Sequence, residues 1–261
     1  MLKISGKNLA ELALPNVCFA CFRIRVNLDA QISVDRKKIP YQMPIPGIFS
    51  NIDSHVKQVV KHYFETHGKV PTWFPDIGAK IVGIENPPGW QDFNTYITEY
   101  DTKMTGALDV VFKISDGSYA FGDYKTARFS ETHDSLMPLY KSQLHNYMEI
   151  AKRKGIFSPV SRLFLIYTEP LDYKPDNGLY NLSDFEENFK LHFKVIPKIL
   201  EIDLNLTESL LKKAVSIMND RNPKGLANCS NCVLRERLYS EECSIREIQK
   251  IDRTDDMLFN Y

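Results

Sequence analysis

The chain has 261 residues and carries as many basic as acidic side chains, so its formal net charge is zero. With 43% hydrophobic and 25% charged residues it has an ordinary globular make-up and enough length for a sizeable core, which excludes extensive disorder. No apolar run approaches the ~20 residues of a membrane span, and the start MLKISGKNLAEL lacks the apolar centre of a signal peptide. A cytoplasmic protein with no membrane partner is expected. The lack of a basic excess argues against tight coating of duplex DNA, though not against a local basic channel.

In chain order, Ser5 precedes a helical pattern over Lys7 to Leu14, which Pro15 breaks. Cys18-Phe-Ala-Cys21 follows, with Arg23 and Arg25 close behind as local basic character. Residues 29–50, with Pro40, Pro44, Pro46 and Gly47, read as a surface loop. Asn51 or Asp53 then caps a helix to about Thr66 that buries Ile52, Val56, Val59, Val60 and Tyr63 and carries His55 and His62. Residues 68–100 are loop-rich, and their Trp73 and Trp90 are expected in the core first, with stacking on bases as the other use.

The stretch Thr105 to Tyr147 is the densest in chemistry. Ala107 to Ile114 is rich in Val, Phe and Ile, and Tyr119 to Tyr124 in aromatics, so both read as strands of a hairpin turning at Asp116-Gly117. If the loop is Ser115-Asp116-Gly117 with a left-handed glycine, Ile114 pairs with Ser118 and Asp109 lies directly opposite Asp123. A shorter Asp116-Gly117 loop would set Asp109 opposite Tyr124 instead. In the first register the two carboxylates stand roughly 4.5–5.5 Å apart at Cβ, and such a like-charge pair is destabilising unless a cation compensates. Lys125 points to the same face as Asp123, and Gln143 and Tyr147 share one face of the next helix.

Downstream, Ser161 to Thr168 is an apolar run that predicts a central strand covered on both faces. Phe189, Leu191, Phe193 and Val195 alternate with Lys190, His192 and Lys194 as a half-buried strand whose lysines suggest a phosphate track or a solvated face. Pro197 should interrupt it, leaving Lys198 to Leu204 as an edge strand. A helix from Glu208 to Asn219 turns Leu210, Leu211, Ala214, Val215 and Met218 inward. The pattern is α/β, a mixed sheet flanked by helices. Cys229-x-x-Cys232 and Cys243 complete the five cysteines. Paired thiols in a cytosolic protein suggest metal ligation over disulfides, as zinc or an iron–sulfur cluster, and spacing alone does not separate these.

Gly106-x-x-Asp109, Asp123-x-Lys125 and Gln143-x-x-x-Tyr147, in this order, resemble the core of the PD-(D/E)xK nuclease superfamily, in particular its RecB-like branch of CRISPR-associated and helicase-linked exonucleases. The resemblance implies a restriction-endonuclease-like core over about residues 100–204 of a single domain spanning 1–261. A cysteine-ligated lobe from 1–28 and 205–261 would join the two ends. It further implies a DNA nuclease, an exonuclease on single-stranded or frayed ends. Asp109, Asp123 and the Tyr124 carbonyl would hold Mg²⁺ or Mn²⁺, and Lys125 would act on the attacking water. Gln143 and Tyr147 would contact DNA or steady the lysine, and His55 would be a candidate ligand for a second metal. By the same resemblance the cysteines hold a 4Fe–4S cluster, with Zn²⁺ as the alternative. Cys18 fits the family's early cysteine, although Phe19-Ala20 replaces its usual Pro-Arg. The expected ligands are Cys18, Cys21, Cys229 and Cys232, with Cys243 in place of Cys21 as the rival set. The implied partners are DNA and a helicase, an integrase or another repair protein. The competing expectation is a DNA-binding or assembly subunit of a repair or CRISPR-adaptation complex with an idle or partner-dependent core.

Overall fold

The computed structural model describes residues 1–31, 47–129, 135–171, 192–241 and 243. Strand β1 (Leu2–Ser5) leads into the short helix α1 (Gly6–Ala10), which starts where Ser5 Oγ accepts a hydrogen bond from the Asn8 amide at 3.1 Å, as its cap. A 3₁₀ turn and Pro15 separate it from α2 (Phe19–Gln31). Helix α3 (Gly47–His67) begins before either expected cap, so its first turn takes up the end of the segment read as loop. Two sheets follow, both mixed. The smaller has the order β1-β4-β3, with β3 at Asn94–Ile97 and β4 at Thr102–Thr105. The larger has the order β2-β5-β6-β7-β8, built from β2 (Ile81–Glu85), β5 (Val110–Ile114), β6 (Tyr119–Lys125), β7 (Val160–Pro170) and β8 (Phe193–Leu200).

The β5–β6 hairpin takes the longer-loop register. Ile114 N–H bonds the Ser118 carbonyl at 2.9 Å, Gly117 has φ +87°, and Val110 pairs with Gly122. Asp116 holds the turn by accepting from the Ser118 amide at 2.9 Å and its hydroxyl at 2.6 Å. The ladder thus brings Asp109 opposite Asp123.

Strands β6 and β7 are parallel, and the chain between them includes helix α4 (Met137–Lys154). Alternation along the strands then sorts the core. Phe121, Leu163, Leu165 and Tyr167 face α4, together with Leu144, Ile150 and residues of α1 and of helix α5 (Leu206–Asn219). Val110, Phe112, Tyr124, Phe164 and Ile166 face Val60 of α3, with Phe74 and Ile77. β7 is accordingly the doubly covered strand expected over Ser161 to Thr168. On α5 it is Ile217, not Val215 or Met218, that is fully inward beside Leu210, Leu211 and Ala214.

Two expectations fail for physical reasons. Pro197 does not interrupt β8; it pairs with Ile166 inside a continuous strand, because β8 is outermost and its free edge needs no amide donor. Trp73 and Trp90 are 44% and 52% exposed rather than core; Phe74, one residue on, and Phe93, three residues on, take the buried positions. The expected strand residues Phe189 to Leu191 lie outside the described residues. Among those residues, no helix is long and apolar enough to cross a membrane.

Candidate active site and cysteine cluster

Asp109, Asp123, Lys125, Gln143 and Tyr147 converge where β5 begins and β6 ends. Asp123 is 4% exposed. One of its oxygens accepts from Gln143 Nε2 at 3.2 Å, and the other makes no hydrogen bond and has the Lys125 ammonium as its ionic partner. Burial lifts its pKa to about 6; the Lys125 charge opposes that rise and the Asp109 charge adds to it. Asp109 accepts from the Tyr124 amide at 3.1 Å. Lys125 also lies over the Tyr140 ring, 4.1 Å from its centre.

Helix α4 supplies the support. Gln143 Nε2 also bonds Tyr147 Oη at 3.2 Å, so the amide holds Asp123 on one side and is itself held on the other. In the described contacts Gln143 thus steadies Asp123 rather than the lysine. Burial pushes the Tyr147 hydroxyl up to about 12, with the Asp123 charge adding to it. Its ring lies against main chain that only glycine leaves room for: a Cβ on Gly106 would meet it at 2.8 Å and one on Gly6 at 2.9 Å. Deeper in α4, buried His145 uses both ring nitrogens, Nδ1 on the Lys141 carbonyl at 2.7 Å and Nε2 on the Asp203 amide at 2.8 Å, which makes it a tether. Asn146 donates to the Gly6 carbonyl at 2.8 Å and pins α1 alongside.

Sequence reasoning missed the group that α3 contributes. Lys57 Nζ stands 2.7 Å from Asp53 and 3.0 Å from Asp109. It also lies 5.5 Å from the centre of the Tyr124 ring. Burial works against its charge, but Asp109 and Asp53 outweigh burial and hold its pKa above the usual lysine range. Buried Tyr124 is pushed up by burial and by the same two carboxylates, and its hydroxyl has no hydrogen-bond partner. His55 is exposed, because it lies half a turn from both Asp53 and Lys57 and so on the other side of α3. Only the one-turn spacing of Asp53 and Lys57 hinted at the pair. Lys194, on the proposed lysine track, is paired with buried Glu169.

The second constellation joins the two ends of the described chain. The sulfurs of Cys18, Cys21, Cys229 and Cys232 all lie within 4.8 Å of one another. Individual separations are 3.5 Å for Cys18–Cys232, 3.7 Å for Cys21–Cys229 and 3.3 Å for Cys21–Cys232. Cys243 is not in the group, so the set with Cys243 in place of Cys21 is not the one assembled. Each Cys-x-x-Cys opens a helix, α2 in one case and residues 230–241 in the other, where amide dipoles favour thiolate. Burial opposes ionisation of Cys18, but the Leu226 amide, 3.4 Å from its sulfur, and the neighbouring thiols outweigh it and bring the pKa to about 6. Cys21 is pushed up by burial and by hydrogen bonds with its neighbours. Such a set can hold a metal ion. Beside it opens a cavity of about 480 Å³ lined in part by Glu11, Phe22, Arg25 and Asn228.

No protein-family model and no curated protein matches the chain. Among solved structures, the crystal structure of SSO0001 aligns over 85% of this chain and 78% of that one, at 16% identity and a TM-score of 0.37.

Proposed function

We propose that the chain is a Mg²⁺- or Mn²⁺-dependent deoxyribonuclease of the RecB-like type, acting as an exonuclease on single-stranded or frayed ends. The observation that carries this is Asp123: a carboxylate almost fully buried, with one oxygen on Gln143 and the other met only by the Lys125 ammonium, across a hairpin from a second carboxylate. Lys57 and Lys125 meet part of that charge, yet three carboxylates remain around two ammonium groups in a partly buried site, an imbalance that a bound cation would offset. The residues suit a hard divalent ion, which takes oxygen ligands and keeps several waters: Asp109, Asp123 and the Tyr124 carbonyl would be its protein ligands. When bound, the ion supplies a more acidic water and relief of charge on the phosphoryl oxygens.

The remaining work falls to the side chains. Gln143, braced by Tyr147, fixes the rotation of Asp123 so that its other oxygen stays beside Lys125. Lys125 orients the attacking water and stabilises the charge that develops on the phosphoryl group, a task suited to a compact ammonium. Cleavage of end-labelled single- and double-stranded DNA with Mg²⁺, Mn²⁺ or chelator tests the reading. Binding without cutting under any metal would favour the assembly-subunit alternative.

For the cysteines the sulfur spacing supports one tetrahedral ion. Zinc–sulfur bonds of ~2.3 Å put the sulfurs of a regular tetrahedron about 3.8 Å apart; three of the sulfur pairs are separated by 3.3 to 3.7 Å and all four sulfurs lie within 4.8 Å of one another. A cubane bonds each thiolate to a different iron and spreads them further. We therefore read Zn²⁺ as the occupant, ahead of the 4Fe–4S cluster that the resemblance implies. Metal content and the visible spectrum of anaerobically purified protein decide between them.

A further inference from the structure

Lys57 has no part in the chemistry above, yet it is better held than an ordinary surface lysine. A flexible ammonium gains little from a single exposed carboxylate. This one has Asp53 at 2.7 Å, Asp109 at 3.0 Å and the Tyr124 ring beneath it, and its side chain is only 28% exposed. Asp53 and Lys57 sit one turn apart on α3, so the helix delivers both the extra carboxylate and the cation that covers it. Asp109 then has one oxygen on the Tyr124 amide and the other on Lys57. Asp123, 4% exposed, has one oxygen on Gln143 and the other beside the Lys125 ammonium.

We propose that Lys57 is a resident cation standing between Asp53 and Asp109 where a second divalent ion would otherwise bind, so that the site loads a single Mg²⁺ or Mn²⁺ between Asp109 and Asp123. The proposal rests on the nuclease reading. Charge balance supports it independently of any motif. Asp53, Asp109 and Asp123 oppose Lys57 and Lys125, which leaves one net negative charge in a partly buried site. One divalent ion and one phosphodiester bring that to neutrality. A second divalent ion would leave an excess of two positive charges with Lys57 in place; without Lys57 the excess falls to one and the Asp53 and Asp109 oxygens it holds are released to meet it. Without Lys57, Asp53 and Asp109, which both reach its ammonium, would lose the cation between them and offer oxygens that a hard cation takes. Lys57 is thus a positioning residue for the metal stoichiometry.

The test is a titration of the 261-residue chain, its cysteine site loaded with the metal it carries on purification, with Mn²⁺, reading free Mn²⁺ by electron paramagnetic resonance. Mn²⁺ prefers oxygen to thiolate and does not report the cysteine site. Wild type is expected to bind about one ion per chain and Lys57→Gln about two. The extra ion should disappear again in the Asp53→Asn/Lys57→Gln double variant, and thermal unfolding confirms that each variant is folded. Binding of two ions by wild type, or an unchanged count in Lys57→Gln, overturns the proposal. DNA cleavage by the same wild-type preparation separates the two readings. Cutting with two bound ions overturns the Lys57 proposal alone. The expected counts without cutting support the charge role of Lys57 and overturn the nuclease reading. No Mn²⁺ binding overturns both.

Discussion

Asp123→Asn should make the metal-free protein more stable at neutral pH while removing the proposed nuclease activity. In the folded chain the Asp123 pKa rises from 3.8 to about 6, because burial disfavours the carboxylate more than Lys125 favours it. At about 1.4 kcal/mol per unit, the charged form carries a penalty on the order of 3 kcal/mol above that pKa. The folded chain binds this proton more tightly than the unfolded one. Its contribution is therefore fully present below about pH 4, is lost as pH rises towards about 6, and stays lost beyond that. Asparagine resembles the protonated acid and has no proton to lose. In urea unfolding with chelator, the variant should exceed wild type by ~3 kcal/mol at pH 7.5, with the gap closing towards pH 4. The midpoint temperature should rise by roughly 2–4 °C for each kcal/mol gained. Excess Mg²⁺ should narrow the gap by stabilising wild type alone. A variant less stable than wild type at pH 7.5, or a difference flat across pH, would refute the reasoning.

Two further perturbations test the scaffold. Gly122→Ala puts a Cβ 2.8 Å from both the Phe164 ring and Val110 Cγ1, so overpacking should lower stability by about 1–3 kcal/mol in urea unfolding. Cys232→Ser removes one of the four sulfurs, and metal analysis should show loss of the bound ion. Limited proteolysis should then cut first between α5 and residue 229, where the cluster ties the late segment to α2.

The hairpin was legible because an Asp-Gly turn between two β-branched and aromatic runs allows few closures; two registers stayed open, and the pleat carries Lys125 to the face of Asp123 in either. Helical spacing likewise brought Gln143 and Tyr147 to one face of α4. What sequence could not supply was the phase of α3 against the sheet. His55 drew attention as a metal-ligand type, but a two-residue step on a helix is half a turn, and Asp53 and Lys57 are the residues that face Asp109. The cysteine spacing paired Cys18 with Cys21 and Cys229 with Cys232, yet excluding Cys243 required the tertiary path of both ends. Pro197 misled because its effect depends on whether a strand is central or outermost, and that is a property of the assembled sheet.

The central claim is best tested by cutting of a 5′-end-labelled single strand by wild type, Asp123→Asn and Lys125→Ala, with Mg²⁺ or Mn²⁺ and with chelator, alongside DNA binding under the same conditions. The account predicts metal-dependent cutting by wild type alone, lost in both variants while DNA binding persists. Cutting that survives in Asp123→Asn, or that chelator leaves untouched, would contradict it.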